Sequence, residues 1–298
     1  VPITRSRFTG KEISSMLIDG SPYGITCGPD GALWFTLVHQ GRIGQVVPGD
    51  EPTFFSLDPA DGQPTVITPG PDGTLWFTEF TGGRIGRITT DGALTAFQAA
   101  SPYGIATGSD GAMWFTQLQD DRIGRITPDG QLSTYPLPSA GAMPSAIAAG
   151  PDGGLWFTLN QGNAIGRITT GGEVSTYPLP TPGAAPVGIC AGPDDALWFV
   201  EIGAGQVGRI STSGAITEFP LPDRAARPHA IVAGPDHALW LTEWGTGQLA
   251  RITTDGKITE FPLEGAEPHG LTVGPDGAIW VAMESGALAR HSLHPGEL

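Results

Sequence analysis

Two cysteines, Cys27 and Cys190, are all that the 298 residues contain. That is too few for a disulfide framework, so the fold must rest on packing, and a reducing cytoplasm is the expected setting. Basic residues are scarce too: 15 Lys and Arg stand against 30 Asp and Glu, a net charge of −15. The clustered basic footprint that phosphate backbones require is missing, which argues against a nucleic-acid partner. An acidic surface is also repelled by anionic lipid. No apolar run approaches the ~20 residues that cross a bilayer, so no membrane partner is expected. The opening stretch, residues 1–8, lacks an apolar signal-peptide core. Windows free of Gly and Pro are rare as well. With 45 Gly and 28 Pro, helix is excluded as the main element.

What is present is a period. Hydrophobic residues make up 39% of the chain, enough to bury a core. Seven tryptophans, Trp34, Trp76, Trp114, Trp156, Trp198, Trp240 and Trp280, follow one another at separations of 42, 38, 42, 42, 42 and 40. An aspartate lies four residues before each of them. Each unit reads as four short strands. Proline opens the first, a Gly-Pro-Asp-Gly turn leads into the Trp strand, Ile-Gly-Arg marks the third, and a Thr-Asp-Gly hairpin leads to the fourth. A unit of about 40 residues with four antiparallel strands is a propeller blade. The expectation is therefore all-β: one domain over residues 1–298, a seven-bladed β-propeller. The last repeat runs out before a fourth strand, whereas residues 12–18 precede the first unit. This N-terminal strand is expected to complete blade seven and close the ring, removing an open edge.

A repeat serves as its own alignment: repetition argues scaffold, and departure argues function. Eleven residues before each Trp stand Tyr23, Thr65, Tyr103, Ser145, Val187, His229 and His269. The first strand of a blade is innermost, so these side chains should ring one mouth of the channel. Blade seven adds Glu267 before its opening proline and Glu284 after its Trp strand. Its third strand arrives one residue early, so a local bulge is expected to aim Glu284 inward. An isolated rim histidine is ordinarily just solvated. Two in equivalent slots beside two glutamates point to a site. Two carboxylates suit a hard cation such as Mg²⁺ better than zinc, and a neutral histidine beside them suits a general base near pH 7.

Other departures have structural readings. His237 replaces a turn glycine on the opposite face. His39, on the top loop of blade one, suits substrate contact and plain solvation equally. His291 and His294, near the end, read as solvated. Glu79, Glu201 and Glu243 repeat, so scaffold is their default. Arg87, Arg125, Arg167, Arg209, Arg251 and Arg290 read as ties between blades. The eighth tryptophan, Trp244, is placed to floor an apolar substrate or to pack its own loop, and substrate contact is favoured.

These repeats resemble the virginiamycin B lyase family, also called streptogramin B lyases, over nearly the whole chain. The most specific stretches are Ala226-Arg-Pro-His-Ala-Ile231, Ala266-Glu-Pro-His-Gly270 and Trp280-Val-Ala-Met-Glu284. The resemblance implies a monomeric, Mg²⁺-dependent propeller that linearises cyclic type B streptogramins by elimination at the lactone ester. It implies His269 as the proton-transfer residue, Glu267 and Glu284 as metal ligands, and His229 and Tyr23 at the substrate. No Ser or Cys nucleophile is then needed, and no Gly-x-Ser-x-Gly elbow occurs. Blade three is short, and blades six and seven read Leu-Ala-Arg in place of Ile-Gly-Arg. One alternative is a metal-dependent lactonase of the gluconolactonase kind, which would need Asn and Asp ligands where only Asn160 and Asn163 exist. Another is a non-catalytic propeller that binds a peptide.

Overall fold

The computed structural model describes residues 13–293; His294 and the opening residues 1–12 lie outside the described residues. Each Trp repeat forms one antiparallel sheet, and seven four-stranded sheets result. Blade one consists of Pro22–Cys27, Leu33–Leu37, Arg42–Val46 and Thr53–Ser56, in that order from the axis outward. The first strands pack side by side in a closed circuit. Strand Ile13–Leu17 pairs antiparallel with Ala287–His291, from Ile13 opposite His291 to Leu17 opposite Ala287. The N-terminal strand thus completes blade seven.

The repeated aspartate is a lock within the blade. In all seven blades the Trp indole donates to the aspartate four residues earlier, at 2.9–3.3 Å. In six blades the strand-three arginine pairs with the same carboxylate at 2.6–2.7 Å. Blade one uses Gln45 on Asp30 at 2.8 Å. The arginines therefore tie their own blade's turn to its third strand, where the sequence suggested ties between blades. A guanidinium satisfies a carboxylate that already serves the indole, which keeps the acidic turn paired.

Threonine does the joining. Thr36, Thr78, Thr116, Thr158 and Thr242, two residues past their Trp, donate to the main-chain carbonyls of Thr65, Tyr103, Ser145, Val187 and His269 in the next blade, at 2.5–2.8 Å. Blades five and seven carry Val200 and Ala282 there. His229 and Tyr23 are consequently the two mouth residues without this tie.

The departures in blades six and seven also have a packing cause. Phe35, Phe77, Phe115, Phe157 and Phe199 each pair with a strand-three glycine, and a Cβ on that glycine would overlap the phenyl ring. In blades six and seven the partners are Leu241 with Ala250 and Val281 with Ala289. A smaller side chain on one strand admits a methyl on the other. His291 proves to be core, not solvated: it is 1% exposed and lies against Phe261 at 4.6 Å and Trp240 at 5.0 Å. His237 holds a turn position at φ 56°, the left-handed conformation that glycine takes in most blades, consistent with a structural role.

Candidate functional site

The first strands bring Tyr23, His229 and His269 together at one mouth of the channel. The Tyr23 ring stacks on His269 with centroids 4.3 Å apart, and His229 meets His269 edge-on at 4.8 Å. His269 is 7% exposed. Its main chain is held by Thr242 at 2.8 Å, so blade six positions the residue that blade seven contributes.

Glu284 faces this ring. Its Oε2 is 2.5 Å from His269 Nε2, an ion-pair contact. Its Oε1 is 2.7 Å from His39 Nε2. No special bulge aims it. Its N–H binds the Glu267 carbonyl at 3.0 Å, as Phe80, Leu118, Asn160, Ile202 and Trp244 bind the residue before their own blade's opening proline. Every first strand shares the same register shift. What differs in blade seven is the following loop, one residue shorter: Met283 pairs with Ala287 where Glu243 pairs with Gln248. Glu267 is exposed, and its φ of 58° recurs before the opening proline in six blades. That conformation belongs to the scaffold.

Burial sets the protonation of the site. It pulls His269 below the ordinary histidine value, against the opposing charges of Glu284 and Glu267. His229 is pulled down to about 3, by burial first and by His269 second. Tyr23 is raised well above a free phenol, by burial, Tyr103 and Glu284. At neutral pH both imidazoles are uncharged and the phenol keeps its proton. His269 thus keeps one ring nitrogen unprotonated, the state a base requires.

Glu267 and Glu284 are joined through the main chain and supply hard oxygen donors. Among the described residues no group of three or more His, Cys, Asp or Glu is arranged to hold a metal. Carboxylate oxygens are the donor type that Mg²⁺ takes, and it ordinarily keeps several waters besides. Beneath the mouth lies a cavity of about 400 Å³ with an aliphatic wall, including Ile25, Ile67, Ile105, Ile147, Ile189 and Ile231.

The sequence profile described as the Virginiamycin B lyase family matches residues 9–291. The chain belongs to the virginiamycin B lyase family. A solved streptogramin B lyase superposes with a TM-score of 0.91 at 42% identity, covering 95% of this chain and 97% of that one. A catalytically inactive histidine-to-alanine variant of virginiamycin B lyase from Staphylococcus aureus, crystallised with quinupristin, gives 0.91 at 42% identity, over 95% and 99%. The virginiamycin B lyase of Nocardia farcinica is 52% identical over 88 residues, which is 30% of this chain and 31% of that protein. The stretches matched among such curated relatives span less than a third of their length.

In this virginiamycin B lyase family member the remaining candidates separate cleanly. Trp244 has the Arg227 guanidinium 5.5 Å from its ring. Glu79 pairs with Arg84, Glu201 with Gln206 and Glu243 with Thr246, all as buried scaffold. Two contacts escaped the sequence reading. His39 reaches Glu284 across 245 positions of sequence. Tyr103 binds the Tyr23 hydroxyl at 2.8 Å. For Tyr103 a signal existed: it is the second tyrosine in the mouth slot. For His39 the sequence offered substrate contact and solvation equally, and no spacing pointed to Glu284, because a loop residue has no equivalent in the other blades.

Proposed function

We propose that the protein linearises cyclic type B streptogramins by elimination at the lactone ester, with His269 as general base. The observation that carries this reading is the neutral His269 facing Glu284 at the channel mouth. It stands in a chain 42% identical, over 95% of its length, to a streptogramin B lyase. A histidine-to-alanine change leaves a relative of the same fold catalytically inactive, which supports giving the chemistry to a histidine.

In this reading the substrate lies across the mouth with its ester-bearing threonine over His269. Tyr23 and His229 border it. His269 takes the α-proton of that threonine. The electron pair of the C–H bond becomes the new Cα–Cβ double bond, and the Cβ–O bond breaks with its pair leaving as carboxylate. No water is consumed, and the product is linear with a dehydrobutyrine and a free carboxylate. Glu267 and Glu284 would hold Mg²⁺, which when bound supplies positive charge for the carbonyl oxygen next to the acidic carbon. Glu284 also steadies the imidazolium that His269 becomes. A cytoplasmic monomer fits this reading, since both cysteines are free thiols and the ring closes through its own strand.

The hydrolytic alternative asks for asparagine and aspartate ligands in the channel. Asn160 does line the cavity, but Asn163 is bonded to the main chain of Thr181 and Ala184, and among the described residues no aspartate lines the cavity. The test is incubation with a type B streptogramin, with and without Mg²⁺, followed by chromatography and mass spectrometry. A linear product of unchanged mass is expected, and His269→Ala should abolish it with the fold intact. A product heavier by one water means hydrolysis. An intact macrocycle in both tubes overturns the lyase reading.

A further inference from the structure

We propose that Tyr103 is a positioning residue of this site: through its hydroxyl it holds the Tyr23 ring flat against His269. The inference rests on reading His269 as the proton acceptor. Tyr103 stands in blade three and Tyr23 in blade one, so their 2.8 Å hydrogen bond spans the wall of the channel past blade two. Burial raises both phenols, so both keep their protons and one hydroxyl donates to the other. Phe80 of blade two meets the Tyr103 ring edge-on at 6.0 Å and limits its swing.

A second observation shows why Tyr23 depends on this bond. In five blades a threonine fastens the main chain of the next mouth residue, but blade seven carries Ala282 at that place. Tyr23 follows blade seven around the ring and so lacks the fastening from behind. Its hydroxyl is held from the front instead. The His269 ring needs a fixed face in turn: its Nδ1 is buried without a hydrogen-bond partner among the described residues. Its orientation is therefore set by the Tyr23 ring 4.3 Å away, the edge of His229 and the Glu284 carboxylate. Loss of the Tyr103 hydroxyl frees Tyr23 to turn, and His269 loses one wall of its seat. A base displaced by a fraction of an ångström transfers protons more slowly without binding substrate less well.

The experiment compares the full-length protein with Tyr103→Phe, Tyr23→Phe and the double variant. Each single variant keeps its ring and approaches the bond from one side, so a folding failure in one leaves the other. With a type B streptogramin, kcat should fall roughly tenfold while KM stays within about twofold. The double variant should be little worse than either single one, because the two hydroxyls make one bond. Histidine ring-proton NMR signals, assigned with His269→Ala, should move for His269 in both single variants. A loss carried by KM alone makes Tyr103 a substrate contact and overturns the proposal. So do His269 signals that coincide with those of the parent. If the parent cleaves nothing, the lyase reading fails by itself, and the ring signals still decide the strap.

Discussion

The Thr242 hydroxyl donates to the His269 carbonyl at 2.8 Å, so blade six fixes the backbone of the proposed base in blade seven. Thr242→Val keeps the shape and removes the donor, leaving a buried carbonyl unpaired. A stability loss of about 1–2 kcal/mol is expected from denaturant unfolding. Activity should fall beyond what that loss explains. Thr158→Val, which frees Val187 in the same way, should cost similar stability and leave kcat nearly unchanged. Equal kcat effects in the two variants would remove the positional role of Thr242.

Glu284 touches two histidines with one carboxylate. Glu284→Gln keeps the volume and removes the charge. If Glu284 is a metal ligand, the Mg²⁺ concentration needed for half-maximal rate should rise at least tenfold. An unaltered titration counts against that assignment. The same change acts on the base. Glu284 raises the His269 pKa against the lowering by burial, so its neutralisation lets His269 fall further. The acid limb of the pH–rate profile should move to lower pH.

Much of this architecture was legible because the chain repeats. Trp spacing gave seven blades, and the short seventh repeat pointed to closure by the N-terminal strand. His229, His269, Glu267 and Glu284 stood out by breaking the repeat. What the period hides is contact between slots. It assigns His39 to a loop and Tyr103 to a strand, and neither assignment says that one meets Glu284 or the other Tyr23 across the ring. The arginines misled for the same reason. Repetition marked them as scaffold, yet whether a guanidinium turns to its own blade or the next depends on geometry that spacing does not encode. The threonine ties, with their gaps at Val200 and Ala282, become readable only once their carbonyl partners are known.

The Phe–Gly pairing within blades gives a test of packing. A Cβ at Gly166 would overlap the Phe157 ring, which is fully buried. Gly166→Ala should therefore destabilise by about 1–3 kcal/mol, the usual cost of overpacking. Blade six tolerates Ala250 because it pairs with Leu241. Phe157→Leu added to Gly166→Ala should recover much of the loss even though Phe157→Leu alone is itself destabilising. Thermal unfolding of the three variants reads the coupling. Simple additivity would show that the two strands do not constrain each other.

Two scaffold carboxylates should govern how stability varies with pH. Glu201 and Glu243 are each raised to about 7, chiefly by burial. Hydrogen bonds from Gln206 and Thr246 offset part of this, and the charges of Glu218, Glu260 and Asp223 add to it. In the unfolded chain both groups ionise near the ordinary glutamate value. Between that value and about 7 the folded state holds protons that the unfolded state has released. Their contribution is thus fully present at acid pH and is lost as pH rises through 7, on the order of 3 kcal/mol for each group. His229 acts in the opposite sense, because its value of about 3 makes the fold weaker as pH falls below 6.5. The parent's curve mixes both effects, whereas the difference between parent and Glu201→Gln isolates one carboxylate. Glutamine mimics the protonated acid, so the variant should melt higher than the parent at pH 8 and match it near pH 4.5. Glu243→Gln should behave alike, and the two gains should add. Melting curves that run parallel across this range would mean that neither carboxylate is held protonated by the fold.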